Sequence, residues 1–415
     1  MNIWTKVGQL PQAIKQYLVV TASYWAFTLT DGALRMLVLL HFHQLGYSPL
    51  ELASLFIFYE VFGVITNLVG GWLGAKIGLN KTMNIGLFLQ VIALLMLTLP
   101  LEYLTIMWVM FAQALSGIAK DLNKMSAKSS IKSLVPNDQQ GRLFHWVALL
   151  TGSKNALKGI GFFCGAFLLS TIGFRLTLGV MALCLAVVAM FSYFLLNKDI
   201  GKAKNKIKFK TIFSKDASIN YLSAARLTLF AARDVWFVVA LPVYLSSELS
   251  WSFHAIGLFM AVWIILYGVV QVNTPKISSL FFKNSTLTQN NQQAAVKSRV
   301  NSVIVWGTIL SFICLLIPIS LNMIINEQIV IVVGLLSFGF VFAINSSLHS
   351  YLIVACAQED GVSLDVGFYY MANALGRLLG TVLSGWIYQL FGFDFCLLFS
   401  ALLAGFSVFF IRKLA

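Results

Sequence analysis

Asp31 and Arg35 stand four residues apart in an otherwise apolar stretch, and Lys154 and Lys158 repeat that spacing in another. On a helix a separation of four puts both side chains on one face. Asp31 and Arg35 can neutralise each other; Lys154 and Lys158 cannot. Two like charges on one face in apolar surroundings require an anion, either a carboxylate from another helix, Glu60 for example, or a solute. Arg233, Asp234 and Arg377 lie in further apolar stretches, with Arg226 about two turns before Arg233. Arg35, Lys154, Lys158, Arg233 and Arg377 against Asp31, Glu60 and Asp234 give five minus three, or +2. Solute contact is expected of these basic residues, Arg226 included. For Asp31, Glu60 and Asp234, a buried ion pair that orients the arginines and a proton-coupling role both stay open.

Lys120, Lys124 and Lys128 form a basic stripe. Such a stripe can draw an anion toward a cavity, although a solvated helix face is the plainer account, and Lys120, the deepest, is the functional candidate among them. His41 and His43 are two apart and point away from each other on a helix, so no metal site is expected. Five cysteines occur singly in apolar runs, as core residues do. No nucleophile with a base stands out, so neither an enzyme nor a cofactor is expected.

The elements that must position these charges follow from composition. The chain has 415 residues, 59% hydrophobic and 11% charged, with a mean hydropathy of +0.84. Soluble domains carry roughly 25% charged residues, so water is not the main solvent. Twelve apolar runs recur, at approximately 17–45, 50–75, 82–99, 103–119, 143–171, 176–196, 219–245, 253–281, 300–320, 328–357, 366–391 and 395–411, each near the ~20 residues needed to cross a bilayer. At ~1.5 Å per residue, Asp31 and Arg35 lie about 20 to 27 Å along the first run, and Lys154 and Lys158 about 15 to 22 Å into the fifth. Ionisable groups at such depth cost ~2.5 to 3.5 kcal/mol each on insertion scales, so they serve function. Glycines at 159, 161 and 165, and at 376, 380 and 385, let helices approach closely.

The formal charge of +14 follows the loops, so a nucleic-acid partner is not expected. With the N-terminus inside, the interior segments hold thirteen Lys and Arg plus seven lysines between Lys198 and Lys215, twenty in all, and the exterior connections hold only Arg175. Both termini are therefore expected in the cytoplasm, with no removable signal peptide. The basic run KDIGKAKNKIKFKTIFSKD reads as a linker at 197–217 between a bundle at 1–196 and another at 218–415. Parallel repeats support that division: Asn155-Ala156-Leu157 matches Asn373-Ala374-Leu375, Gly173-Phe174 matches Gly392-Phe393, and Asp31 falls one residue from Asp234.

The loop predicted between the second and third runs, Gly71-Trp72-Leu73-Gly74-Ala75-Lys76-Ile77-Gly78-Leu79-Asn80-Lys81, is similar to the signature of the major facilitator superfamily. Gly74 stands where an Asp is usual, which removes the acid of the charge relay attributed to that loop. The resemblance implies an all-α membrane protein, with twelve transmembrane helices in two six-helix pseudo-symmetric bundles. Helices 1, 5, 7 and 11 would line the cavity. Arg35 with Arg233 or Arg226 looks like the arginine pair by which organophosphate antiporters clasp their substrate, the guanidinium fork matching oxyanion geometry.

Longer strings, YWAFTLTDGALRMLVLLHFHQLGYSP, ALSGIAKDLNKMSAKSSIK, LLTGSKNALKGIGFF and SAARLTLFAARDVWFVVALPVYL, closely resemble the bacterial organoarsenical efflux permease family ArsJ. That resemblance implies export of 1-arseno-3-phosphoglycerate across the bacterial inner membrane and hence arsenate resistance. It also implies glyceraldehyde-3-phosphate dehydrogenase as the functional partner that makes the compound; a monomer is expected. Two anionic ends would need two cationic clusters, Arg35 with Arg233 and Lys154 with Lys158, Arg377 joining as the halves rock. The alternative within the fold is an organophosphate or phosphate antiporter or uptake carrier.

Overall fold

The computed structural model describes residues 12–134, 140–196, 216–281, 292–321, 323, 326–356 and 362–414. Among them, twelve long helices follow one another. The first half holds α1 (Gln12–Gln44), α2 (Ile57–Ile77), α3 (Leu79–Met96), α4 (Ile106–Leu134), α5 (Gln140–Ile172) and α6 (Phe174–Leu195). The second holds α7 (Ala217–Phe237), α8 (Phe253–Phe281), α9 (Gln292–Leu321), α10 (Glu327–Cys356), α11 (Val362–Phe391) and α12 (Phe393–Arg412). In hydrocarbon every backbone N–H and C=O must find its partner within the protein, and a helix satisfies nearly all of them locally. Nine spans among the described residues are long and apolar enough to cross a membrane; α1, α4 and α11, which carry charges through their middles, fall outside that set.

Two spans are broken where sequence patterning reads as continuous. A short helix, Pro49–Ser54, precedes α2 and is capped by Ser48, whose hydroxyl accepts from the Glu51 N–H. After α7 the chain turns at Val238 and resumes as Ala240–Ser247. The N–H groups of Val239 and Ala240, freed there, donate to Ser384 Oγ of α11 at 3.3 and 3.0 Å.

Other boundaries differ from expectation. α4 continues to Leu134 instead of stopping near 119, so the lysine stripe is helical. The loop expected at 71–81 shrinks to Gly78, because its φ of 101° lets α2 and α3 reverse within one residue. Gly71, Gly74 and Lys76 thus belong to α2 and Lys81 to α3. Of the linker expected at 197–217, residues up to 215 lie outside the described residues; Asp216 caps α7 by accepting from Ser218 N–H.

Packing repeats with a shift of six helices. α1 packs on α5 and α6, as α7 does on α11 and α12; α3 packs on α4 and α6, as α9 does on α10 and α12; α2 packs on α4, as α8 does on α10. The halves meet through α2 with α11 and α5 with α8. A shift of six exchanges these two seams, which is the mark of an approximate two-fold axis between the bundles. Close approach of α1 and α5 depends on glycine: a Cβ at Gly32 would sit 2.7 Å from the Lys158 carbonyl oxygen, and at Gly161 3.1 Å from Ala33 N. In the second half, a Cβ at Gly380 of α11 would sit 2.7 Å from Asp234 Cβ of α7.

Candidate functional site

A cavity of about 240 Å³ lies between the halves. Asp31 and Arg35 reach it from α1, Lys120, Asp121 and Lys124 from α4, and Lys154 and Lys158 from α5. The second half contributes Arg226, Arg233 and Asp234 from α7, Gln271 from α8, and Asn373 and Arg377 from α11. The expected basic residues therefore converge, Lys120 among them, and Glu60 stands directly behind them, fully buried.

A chain of ion pairs crosses the cavity wall. Glu60 Oε1 takes Arg35 Nη2 at 2.8 Å and Arg377 Nη2 at 2.6 Å. Arg377 Nε reaches Asp234 Oδ2 at 3.4 Å, and Asp234 Oδ1 holds Arg233 Nη2 at 2.6 Å. The chain alternates in sign through Arg35, Glu60, Arg377, Asp234 and Arg233, and it passes from one half to the other between Glu60 and Arg377. A dry carboxylate such as Glu60 needs cationic partners to offset its lost hydration.

This arrangement corrects two expectations. Asp31 and Arg35 do not pair: Asp31 Oδ1 accepts from the Tyr59 hydroxyl at 2.7 Å, and Arg35 turns to Glu60 with its guanidinium 4.8 Å from the Tyr59 ring centroid. Glu60, being occupied by two arginines, does not serve as the countercharge of the α5 lysines. Arg377 already bridges the halves through Glu60.

At the cavity, Lys158 of the first half and Arg226 of the second have no carboxylate within ion-pair distance among the described residues. Lys158 has its ammonium 5.7 Å from the Phe162 ring centroid and no salt bridge. Arg226 is held by neutral groups: Nε donates to Asn373 Oδ1 at 3.0 Å, and Nη1 donates to Ser346 O at 2.9 Å and to its Oγ at 3.2 Å. Phe230 lies under the guanidinium at 4.1 Å. These neutral partners orient the fork and leave its charge uncompensated. On α4, Lys124 pairs with Asp121 at 2.6 Å and donates to Asn67 at 2.9 Å; Lys120 lies 3.6 Å from Asp121 and 4.0 Å from the Tyr59 ring centroid.

Sequence reasoning missed Tyr59, Asp121, Asn373 and Gln271. For Asn373 a signal was present: it is the repeat partner of Asn155, and both line the cavity. Asn155 donates to Gln271 Oε1 at 3.1 Å across the α5–α8 seam, while Asn373 orients Arg226.

The seams are closed at the end where α1 finishes. There His43 meets Ser247 at 3.4 Å, His254 meets Ser170 at 2.8 Å, and Leu50 N–H donates to Gln389 Oε1 at 3.0 Å, each contact joining one half to the other. Among the described residues no group of His, Cys, Asp and Glu is arranged to hold a metal. The surroundings of Gly71, Gly74 and Lys76 lie outside the described residues.

The family described as Major Facilitator Superfamily matches residues 17–290. The chain belongs to that superfamily. Solved structures agree on the fold. The chain is similar to a crystal structure of a mutant of the nucleoside transporter NupG, with a TM-score of 0.70, 14% identity, and coverage of 97% of this chain and 98% of that one. It is likewise similar to a POT family transporter crystallised with 5-aminolevulinic acid, with a TM-score of 0.72, 13% identity, and 98% coverage of each chain. No curated protein matches the chain. As a superfamily member it is a multi-pass transporter and not an enzyme.

Proposed function

We propose that this transporter exports a two-ended organic anion, 1-arseno-3-phosphoglycerate, from the bacterial cytoplasm by alternating access, working beside the glyceraldehyde-3-phosphate dehydrogenase that makes it. The observation that carries the reading is the pair of uncompensated cations, Arg226 and Lys158, facing one cavity from opposite halves. A phosphoryl end carries about −1.5 to −2 charges near neutral pH, and an arsenate ester resembles it in shape and charge. One end then lies on the Arg226 fork, where Asn373 fixes the geometry, and the other on Lys158, with Lys154 adjoining. Such a solute draws the halves together, and Arg35, Arg233 and Arg377 hold the surrounding potential positive without giving up their carboxylates. The choice of an arsenate ester over other organophosphates is supported by the family resemblance of residues 24–49, 114–132, 149–163 and 223–245, which contain Arg35, Lys154, Lys158, Arg226 and Arg233.

The closed end lies away from the termini, and the excess of interior Lys and Arg supports termini in the cytoplasm. In that orientation the cavity loads from inside, as export requires.

Everted membrane vesicles test the reading. With the arsenylated compound generated in place by the dehydrogenase, vesicles bearing the transporter should accumulate it in preference to arsenate or 3-phosphoglycerate. Equal accumulation by vesicles lacking the transporter would overturn the reading. Rapid counterflow confined to phosphate-loaded vesicles would replace it with a phosphate exchanger.

A further inference from the structure

On the flank of the second half, α9 and α12 leave a second, separate hollow of about 220 Å³. Phe312 and Leu315 of α9 and Phe409 of α12 wall it, Gly405 and Ser311 line it, and Arg412 stands at one end. Phe312 and Phe409 are exposed, as are their neighbours Leu316 and Phe406, so this face looks onto lipid. Gly405 leaves its floor open. A Cβ at Gly405 would meet only Ser311 Oγ, at 3.9 Å, so the space above that position is open.

Its charge is one-sided. Arg412 is exposed in the last turn of α12 and forms no ion pair with a carboxylate among the described residues. Lys413 is next to it, its ammonium 5.4 Å from the centroid of the Phe409 ring that walls the groove. From Arg412 to Gly405 the helix rises about 10 Å, so the hollow is an apolar trough with cations at a single end. With Gly173-Phe174 aligned on Gly392-Phe393, the positions of Gly405, Phe409 and Arg412 fall on Ala186, Met190 and Tyr193 of α6, so at these positions the first half repeats neither the glycine nor the arginine.

We infer that this groove is a binding site for one anionic phospholipid, an acyl chain lying over Gly405 and the phosphate resting on Arg412 with Lys413 alongside. Lipid tails fill an apolar groove with little discrimination, because neighbouring tails are equally apolar. Discrimination comes from the head group, and each cation near the surface favours an anionic lipid by about fivefold.

Native mass spectrometry of the full chain, released from micelles supplied with phosphatidylglycerol and phosphatidylethanolamine of matched chains, reads the site. The wild type should retain one phosphatidylglycerol in at least about fivefold preference. Arg412→Gln combined with Lys413→Gln should abolish the preference, and Gly405→Leu, which fills open space, should remove the retained lipid without shifting the thermal transition. Equal retention of both lipids by the wild type, or undiminished phosphatidylglycerol on Gly405→Leu, would overturn the assignment.

Discussion

Glu60 of α2 and Arg377 of α11 form an ion pair of 2.6 Å that joins the two halves, and the same carboxylate oxygen takes Arg35 at 2.8 Å. Removing one partner of a buried pair leaves the others unpaired and costs about 3 to 5 kcal/mol. Glu60→Gln should therefore lower the thermal transition in micelles more than the single change in net charge suggests. Arg377→Gln on that background should restore part of the loss, with a coupling of about 1 kcal/mol or more. Strictly additive losses would mean that the pair holds nothing together.

Arg226 and Lys158 differ from Arg35 in a way that mutation can separate. Lys158→Gln and Arg226→Gln each remove a charge that no described carboxylate balances, so both should leave membrane abundance unchanged while binding weakens about 10- to 100-fold, the worth of a charge-assisted contact. Arg35→Gln should reduce abundance as well, because it strips Glu60 of a partner. Arg226→Lys should behave like Arg226→Gln, since a point charge cannot use the fork that Asn373 and Ser346 orient. Quantitative blotting beside vesicle uptake checks all four.

Much of this was legible in the residues. Apolar runs locate each of the twelve long helices, and the matched Asn155 and Asn373 point to paired halves. What stayed hidden was partner choice. A spacing of four says that Asp31 and Arg35 share a face, but it cannot say that Tyr59 and Glu60 on α2 are nearer to each of them. Those choices depend on how α2 is set against α1, which local periodicity does not encode. The turn at Val238 was hidden for the same reason, because the groups it frees are satisfied by Ser384 from a helix far along the chain.

The α5–α8 seam gives a test of alternating access. Ser170 and His254 lie 2.8 Å apart at the closed end. In a background without the five native cysteines, Ser170→Cys with His254→Cys should accept a short bifunctional crosslinker. Transport should stop on crosslinking and persist in either single variant. Full transport by the crosslinked protein would show that this seam does not open.

Glycine at the helix contacts should tolerate nothing larger. A Cβ at Gly376 would overlap the Leu227 backbone carbonyl of α7, whereas one at Gly179 of α6 would meet nothing within 4 Å. Gly376→Val should therefore cost most of the folded protein, and Gly179→Val should be near neutral, as monitored by size-exclusion chromatography of the solubilised membranes.

Ligand-induced stabilisation of the purified transporter tests the central claim most directly, since a ligand that binds only the folded state raises the thermal transition with its concentration. The arsenylated compound, held at steady state by the dehydrogenase, should raise the transition of the wild type, and the Lys158→Gln and Arg226→Gln variants should lose that response. A transition raised by a nucleoside or by 5-aminolevulinic acid, and unmoved by the arsenylated compound, would contradict the account.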